Sequence, residues 1–174
     1  MNQVERFGII GSGIIGAGWA GRALSVGMDV YAFDPEQGAE SRLRKKLDQI
    51  WPVLERTGVF PDASKDRLVF CESVEAVAAQ SDFIQESAPE RIDLKVELHA
   101  QIDAAASPDV VIASSTSGLL PTDFQAQCKH PERVIVGHPF NPVYLLPLVE
   151  VLGGKKTSLE NIDRAVMFYK SIGM

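Results

Sequence analysis

Cysteine, histidine and tryptophan are scarce here, with two, three and two copies in 174 residues. Cys71 and Cys128 lie far apart and form no C-x-x-C pair, so the plain reading is two reduced thiols in a cytoplasmic protein, with no metal site. No apolar run approaches the roughly 18 residues that a membrane span needs. The first residues, MNQVERFGII, contain no charged-then-apolar leader, and no secretory signal is read there. Positive charge is also in deficit. Seventeen Lys and Arg against 23 Asp and Glu leave a net charge of −6, which argues against a nucleic-acid-binding face. Internal repeats, low-complexity tracts and flexible linkers are missing too.

What remains is one domain of ordinary size, able to bury about 70 % of its unfolded surface without staples. Glycine is concentrated in one place. Residues 8–21 read GIIGSGIIGAGWAG, six glycines in fourteen positions, and satisfy G-x-G-x-x-G twice, as Gly11-Gly13-Gly16 and as Gly16-Gly18-Gly21. Arg6–Ile10 has the apolar character of a short buried parallel strand. In the first register a helix runs from Ile14 to about Val26 and stops at Gly27, a natural C-cap. The second register leaves five residues before Gly27, too few for a crossover helix. The first register therefore holds.

Gly11 then makes the tight turn, Gly13 lets a pyrophosphate approach the helix N-terminus, and Gly16 lets the helix pack on the sheet. Gly11, Gly13, Ile14, Ile15 and Gly16 are the candidate cofactor loop. The following strand, MDVYAFD, ends in Asp34, 23 residues after Gly11. A carboxylate there accepts from the adenosine ribose hydroxyls and repels a 2′-phosphate, and no arginine follows directly, so NAD is expected rather than NADP. The basic run RLRKK at 42–46 alternates with apolar residues at helical spacing and reads as the wet face of an amphipathic helix, with a phosphate-bearing ligand as the alternative.

The rest of the chain alternates strands and helices. A helix is expected from Pro35 to about Gly58, kinked or divided at Pro52. Strands are expected at 67–71, 82–87, 110–114, 134–138 and 145–152. Helices are expected after Ser73, over 92–105, over 122–128, and from a Ser158 cap to Ser171. This pattern predicts an α/β fold with a doubly wound parallel sheet of the Rossmann type. SAPER (87–91), SSTSG (114–118) and HPFNP (138–142) fall at strand carboxyl ends, where such sheets place ligands.

His138 and Glu150 lie twelve residues apart, with turn residues Asn141-Pro142 between them. If the chain reverses about Tyr144, they fall opposite each other. A carboxylate beside an imidazole raises its basicity and fixes which nitrogen carries the proton, which is what a general base on a hydroxyl requires. Ser117 could bond the same oxygen. A histidine before proline can equally be a strand-end boundary residue, although a glutamate in an apolar strand is costly to bury unpaired. His99 and His130 read as solvated.

GSGIIG, SSTSG and HPFNPVYLLPLVEV together resemble the NAD-binding domain of the 3-hydroxyacyl-CoA dehydrogenase family over essentially the whole chain. The resemblance implies that His138 is the catalytic histidine, Glu150 its partner, and Ser117 the serine that contacts substrate and nicotinamide ribose. It places Glu90 and Lys95 near the nicotinamide half of NAD. Pro139 and the Ser115-Thr116-Ser117-Gly118 loop depart from the form typical of fatty acyl-CoA members. They are closer to members acting on free hydroxy acids, implying oxidation of a 3-hydroxyl such as that of L-carnitine, with L-gulonate, a hydroxyacyl-CoA or a non-catalytic NAD-binding role as alternatives. Phe140, Val143, Tyr144 and Leu145 favour L-carnitine, because an aromatic face can meet its trimethylammonium group. Family members continue into a helical C-terminal domain with dimer contacts. This chain, a single dinucleotide-binding domain over 1–174, stops near that boundary, so a truncated piece of a homodimer, inactive on its own, is expected.

Overall fold

A computed structural model describes residues 4–174; Met1–Gln3, part of the stretch read as leaderless, lie outside the described residues. Seven strands form one sheet: β1 (Arg6–Ile10), β2 (Asp29–Phe33), β3 (Leu68–Phe70), β4 (Phe83–Glu86), β5 (Val111–Ser114), β6 (Val134–Pro139) and β7 (Val149–Gly153). Their order is β3-β2-β1-β4-β5-β6-β7, so chain direction across the sheet reverses between β1 and β4. The first six run parallel. Strand β7 does not: it pairs antiparallel with β6, the reversal about Tyr144 that sets His138 opposite Glu150. Only a tight reversal joins β6 to β7, and a parallel return would need a crossover of a dozen or more residues.

Helices α1 (Ile14–Ser25), α2 (Ala39–Thr57) and α6 (Leu159–Ser171) cover one face, where Trp19, Leu24, Leu43, Leu54 and Phe168 pack with Phe7 and Phe83. Helices α3 (Val74–Gln80), α4 (Ile92–Ala105) and α5 (Pro121–Phe124) cover the other, over Ile10, Ile84, Ile112, Val134 and Val136. With both faces clad, the central strands are buried on both sides, which is why they read as continuous apolar runs.

The caps fall where the residue types place them. The Ser73 and Ser158 hydroxyls accept from Ala76 N and Asn161 N, at 3.1 and 3.2 Å. Helix α2 starts later than Pro35, because residues 35–38 form a turn that ends at Gly38, where φ is +76°. Pro52 does not divide it. Its ring lies on the exposed side while Leu47, Trp51 and Leu54 bury the opposite stripe, and that packing outweighs one missing hydrogen bond. Arg42 and Arg44 are paired with Glu36 and Glu40 at 2.7 and 2.8 Å, as befits a wet helical face. Residues 145–148 stay outside β7, and α5 is only four residues long. Among the described residues, no helix is long and apolar enough to cross a membrane, and no cluster could hold a metal ion.

Candidate active site

Strand β1 leads straight into the glycine loop. Gly11 has φ of +92°, and a Cβ there would meet the Ser87 carbonyl at 2.6 Å. A Cβ on Gly16 would lie 1.9 Å from the Gly11 oxygen, so α1 can seat on the loop only without one. At Gly13 a Cβ would meet nothing within 4 Å. That contrast matters: Gly11 and Gly16 are demanded by the protein's own packing, whereas Gly13 borders open space. Helix α1 begins there with no side-chain cap and no acidic residue in its first turn, so the positive end of its dipole faces the opening. Ile14 is exposed and Ile15 half-buried at this entrance. An anionic pyrophosphate fits this cradle.

Asp34, just past β2, is held in place. Its Oδ2 accepts from Ser12 N and Oγ at 2.7 and 2.9 Å, and its Oδ1 accepts from Glu36 N at 3.0 Å.

Between the loops after β4 and β5 lies a charged group of residues that composition did not reveal. Glu86 and Lys95 are 0 % and 1 % exposed, and Lys95 Nζ donates to both carboxylate oxygens at 2.7 and 2.9 Å. Ser114 Oγ and Ala88 N complete the carboxylate's bonding at 2.5 and 2.6 Å. Glu90 continues the chain of charge, 3.7 Å from Lys95 Nζ. It accepts from the Thr116 hydroxyl and from the Ser117 and Gly118 N–H groups, so it ties the 87–91 segment to the 114–118 loop. Burial pushes the Glu90 carboxyl up, but Thr116, the Lys95 charge and those N–H groups together hold it below its ordinary range. Lys95 therefore reaches the crevice only from behind Glu90 and Glu86.

His99 is fully buried rather than solvated. Its Nδ1 lies 2.7 Å from the Lys95 carbonyl, its ring packs on Phe124, and Nε2 has no hydrogen-bond partner. Burial lowers its proton affinity and keeps the ring neutral. The spacing was the missed signal. Lys95, His99 and Asp103 recur every fourth residue beside Leu98 and Ile102, so all five share the buried stripe of α4. His130 is half-exposed, as expected for a loop residue. Both thiols are free, and burial pushes Cys128 up to about 12.

At the far end of the sheet His138 of β6 faces Glu150 of β7 in direct register, and His138 Nδ1 lies 2.8 Å from Glu150 Oε2. A carboxylate only accepts, so Nδ1 carries the proton and the Nε2 lone pair is left available. The two side chains share one sheet face with Val136 and Leu152, because strand residues alternate. They line a cleft of about 370 Å³ whose opposite wall is the Thr116–Leu120 segment, with Ser117 exposed on it. Glu150 is 65 % exposed, so the expectation of a carboxylate buried in an apolar strand is corrected: β7 is an edge strand and its even positions look outward. Phe140 projects beside His138, ring centroids 5.5 Å apart, while Val143 is buried against Gly18 as core. A larger hollow of about 910 Å³ lies at the opposite, amino-terminal edge of the sheet around Arg6, Asp109 and Arg164, away from this chemistry.

Residues 6–174 match the family model described as 3-hydroxyacyl-CoA dehydrogenase, NAD binding domain. The chain is 56 % identical over 174 residues to an L-carnitine dehydrogenase of Pseudomonas putida, covering all of this chain and 54 % of that protein. It is 50 % identical over 173 residues to one of Bacillus cereus, covering 99 % of this chain and 53 % of that protein. Thus the chain spans about half the length of the curated relatives it matches. Among solved structures it is similar to the 3-hydroxybutyryl-CoA dehydrogenase of Escherichia coli, with a TM-score of 0.90 and 31 % identity over 99 % of this chain and 37 % of that one. An FHMPC 5-dehydrogenase, described as an NAD+ dependent dismutase, gives 0.91 and 31 % over 99 % of this chain and 56 % of that one.

Proposed function

The chain belongs to the 3-hydroxyacyl-CoA dehydrogenase family, and from that premise we propose that it is the cofactor domain of an NAD-dependent dehydrogenase oxidising the 3-hydroxyl of L-carnitine to give 3-dehydrocarnitine. The observation that carries the reading is the His138–Glu150 pair, turned into the same cleft as Ser117. His138 Nε2 takes the hydroxyl proton. Glu150, bonded to Nδ1, holds the ring in the required tautomer and stabilises the imidazolium that forms. Ser117 positions the substrate oxygen. NAD, when bound, supplies the hydride acceptor.

Gly11, Gly13, Ile14, Ile15 and Gly16 would receive its pyrophosphate and Asp34 the adenosine ribose, while Glu90 and Ser117 border the nicotinamide half, with Lys95 behind them as counter-charge. Relatives at 50–56 % identity carry the name L-carnitine dehydrogenase, and Phe140 beside His138 offers a face for a trimethylammonium group. The exposed apolar rim of Leu120, Leu146, Leu148 and Leu152 is read as the surface that a second, helical domain covers in a cytoplasmic homodimer.

The test is NADH formation by the protein at its full natural length, with L-carnitine against 3-hydroxybutyryl-CoA. Turnover on carnitine alone is the expected result. Turnover on the thioester alone would replace the substrate assignment and give the 42–46 cations a phosphate-binding role. His138→Gln should abolish turnover with NAD affinity intact.

A further inference from the structure

Ser115 Oγ, just past β5, has three polar neighbours: Trp19 Nε1 at 3.2 Å, Gln85 Nε2 at 2.8 Å and Ser87 Oγ at 2.9 Å. The direction of each bond follows from chemistry. Gln85 is fully buried in β4, and one of its amide atoms lies 3.0 Å from the Gly137 carbonyl. A carbonyl only accepts, so that atom is the nitrogen, and the amide has one orientation. Its oxygen then accepts from the Tyr169 hydroxyl at 2.7 Å. Burial pushes the Tyr169 phenol well above its ordinary range and keeps it a donor.

Indole and amide N–H groups cannot accept. Trp19 and Gln85 therefore occupy both lone pairs of Ser115, whose own proton has one direction left, toward Ser87. Ser87 accepts. Its hydroxyl hydrogen is then left without an acceptor among the described residues.

Ser87 is placed where that proton matters. It is the first residue beyond β4, its N–H bonds the Ile10 carbonyl at 2.7 Å, and its backbone lies against Gly11. That is the seam between β1 and β4 where strand order reverses, the crevice in which doubly wound sheets bind their ligands. On one side is the glycine loop, and on the other Ser115 leads into the Thr116–Ser117 wall of the His138 cleft. A dinucleotide with its pyrophosphate at Gly13 and its reactive end at His138 must pass this point.

We propose that Ser87 is a cofactor-binding residue whose hydroxyl donates to an acceptor oxygen on the nicotinamide half of NAD, its polarity imposed by the Trp19–Gln85–Ser115–Tyr169 network. This rests on the NAD-binding reading of the crevice. Ser115 fills one Ser87 lone pair and leaves the Ser87 proton without a protein acceptor, so the site suits a carbonyl or ether oxygen placed to receive that proton.

Calorimetric titration of the wild-type chain and Ser87→Ala with NAD, and with ADP, which lacks the nicotinamide ribose, tests it. The expected result is a rise in the Kd for NAD of about 3- to 10-fold, the value of one neutral hydrogen bond, with the Kd for ADP within about twofold of wild type. Equal NAD affinities overturn the proposal. Parallel weakening of NAD and ADP also overturns it, since the loss would then lie in the fold of the crevice. A wild-type chain that binds ADP but not NAD would fail differently, removing the nicotinamide reading and the Ser87 assignment with it.

Discussion

Replacing Lys95 by methionine separates two roles that its position allows. The ammonium is bonded to both oxygens of a fully buried carboxylate, and its substitution keeps the volume but leaves Glu86 with only Ser114 Oγ and Ala88 N as donors. Breaking one partner out of a buried ion pair costs about 3–5 kcal/mol at neutral pH. Against a total stability of order 5–15 kcal/mol for a domain, that is about a fifth of the whole at the least. Urea unfolding followed by the fluorescence of Trp19 and Trp51, both buried, reads the loss.

The double variant Glu86→Gln/Lys95→Met buries no charge and should recover most of the loss at pH 7, ending within about 1–2 kcal/mol of wild type. The reasoning is refuted if Lys95→Met unfolds within about 1 kcal/mol of wild type, well short of a broken buried pair. Were NAD affinity to fall sharply at the same time, Lys95 would be a direct cofactor contact instead of the support behind Glu90.

Gly16→Ala should destabilise the chain by about 1–3 kcal/mol, since its Cβ cannot coexist with the Gly11 oxygen and the turn must shift. Gly13→Ala should fold normally, because its Cβ enters open space, yet weaken NAD binding; thermal melts and NAD titrations of the two variants separate packing from ligand approach. His99, whose proton affinity burial lowers in the folded chain, makes the unfolded state the better proton binder. Stability should therefore fall as pH drops below about 6.5, by at most about 1.4 kcal/mol per unit. His99→Met should flatten that part of the profile in urea melts at pH 7, 6 and 5, and parallel profiles for the two proteins would refute it.

Sequence by itself determined what depends on local geometry. Strand β1 runs straight into the glycine turn, and chain length alone selects Gly11-Gly13-Gly16, because the other register leaves no room for a helix before Gly27. Counting six residues either side of Tyr144 was enough to bring His138 and Glu150 into register. Serine caps, the Asp34 strand end and the wet face of α2 were legible for the same reason: each involves neighbours along the chain or a fixed period of 2 or 3.6 residues.

Tertiary structure decided everything that depends on which faces meet. His99 looks like a solvent-facing residue, and Lys95 shows no partner, until α4 is laid on the sheet, where Glu86 arrives from β4 and Ser114 from β5. Glu150 looks buried until β7 turns out to be an edge. The polarity of Ser87 requires Trp19, Gln85, Gly137 and Tyr169 to converge from four separate elements. A hydrogen bond's direction is set by the full list of its neighbours, and that list exists only once distant segments have packed together.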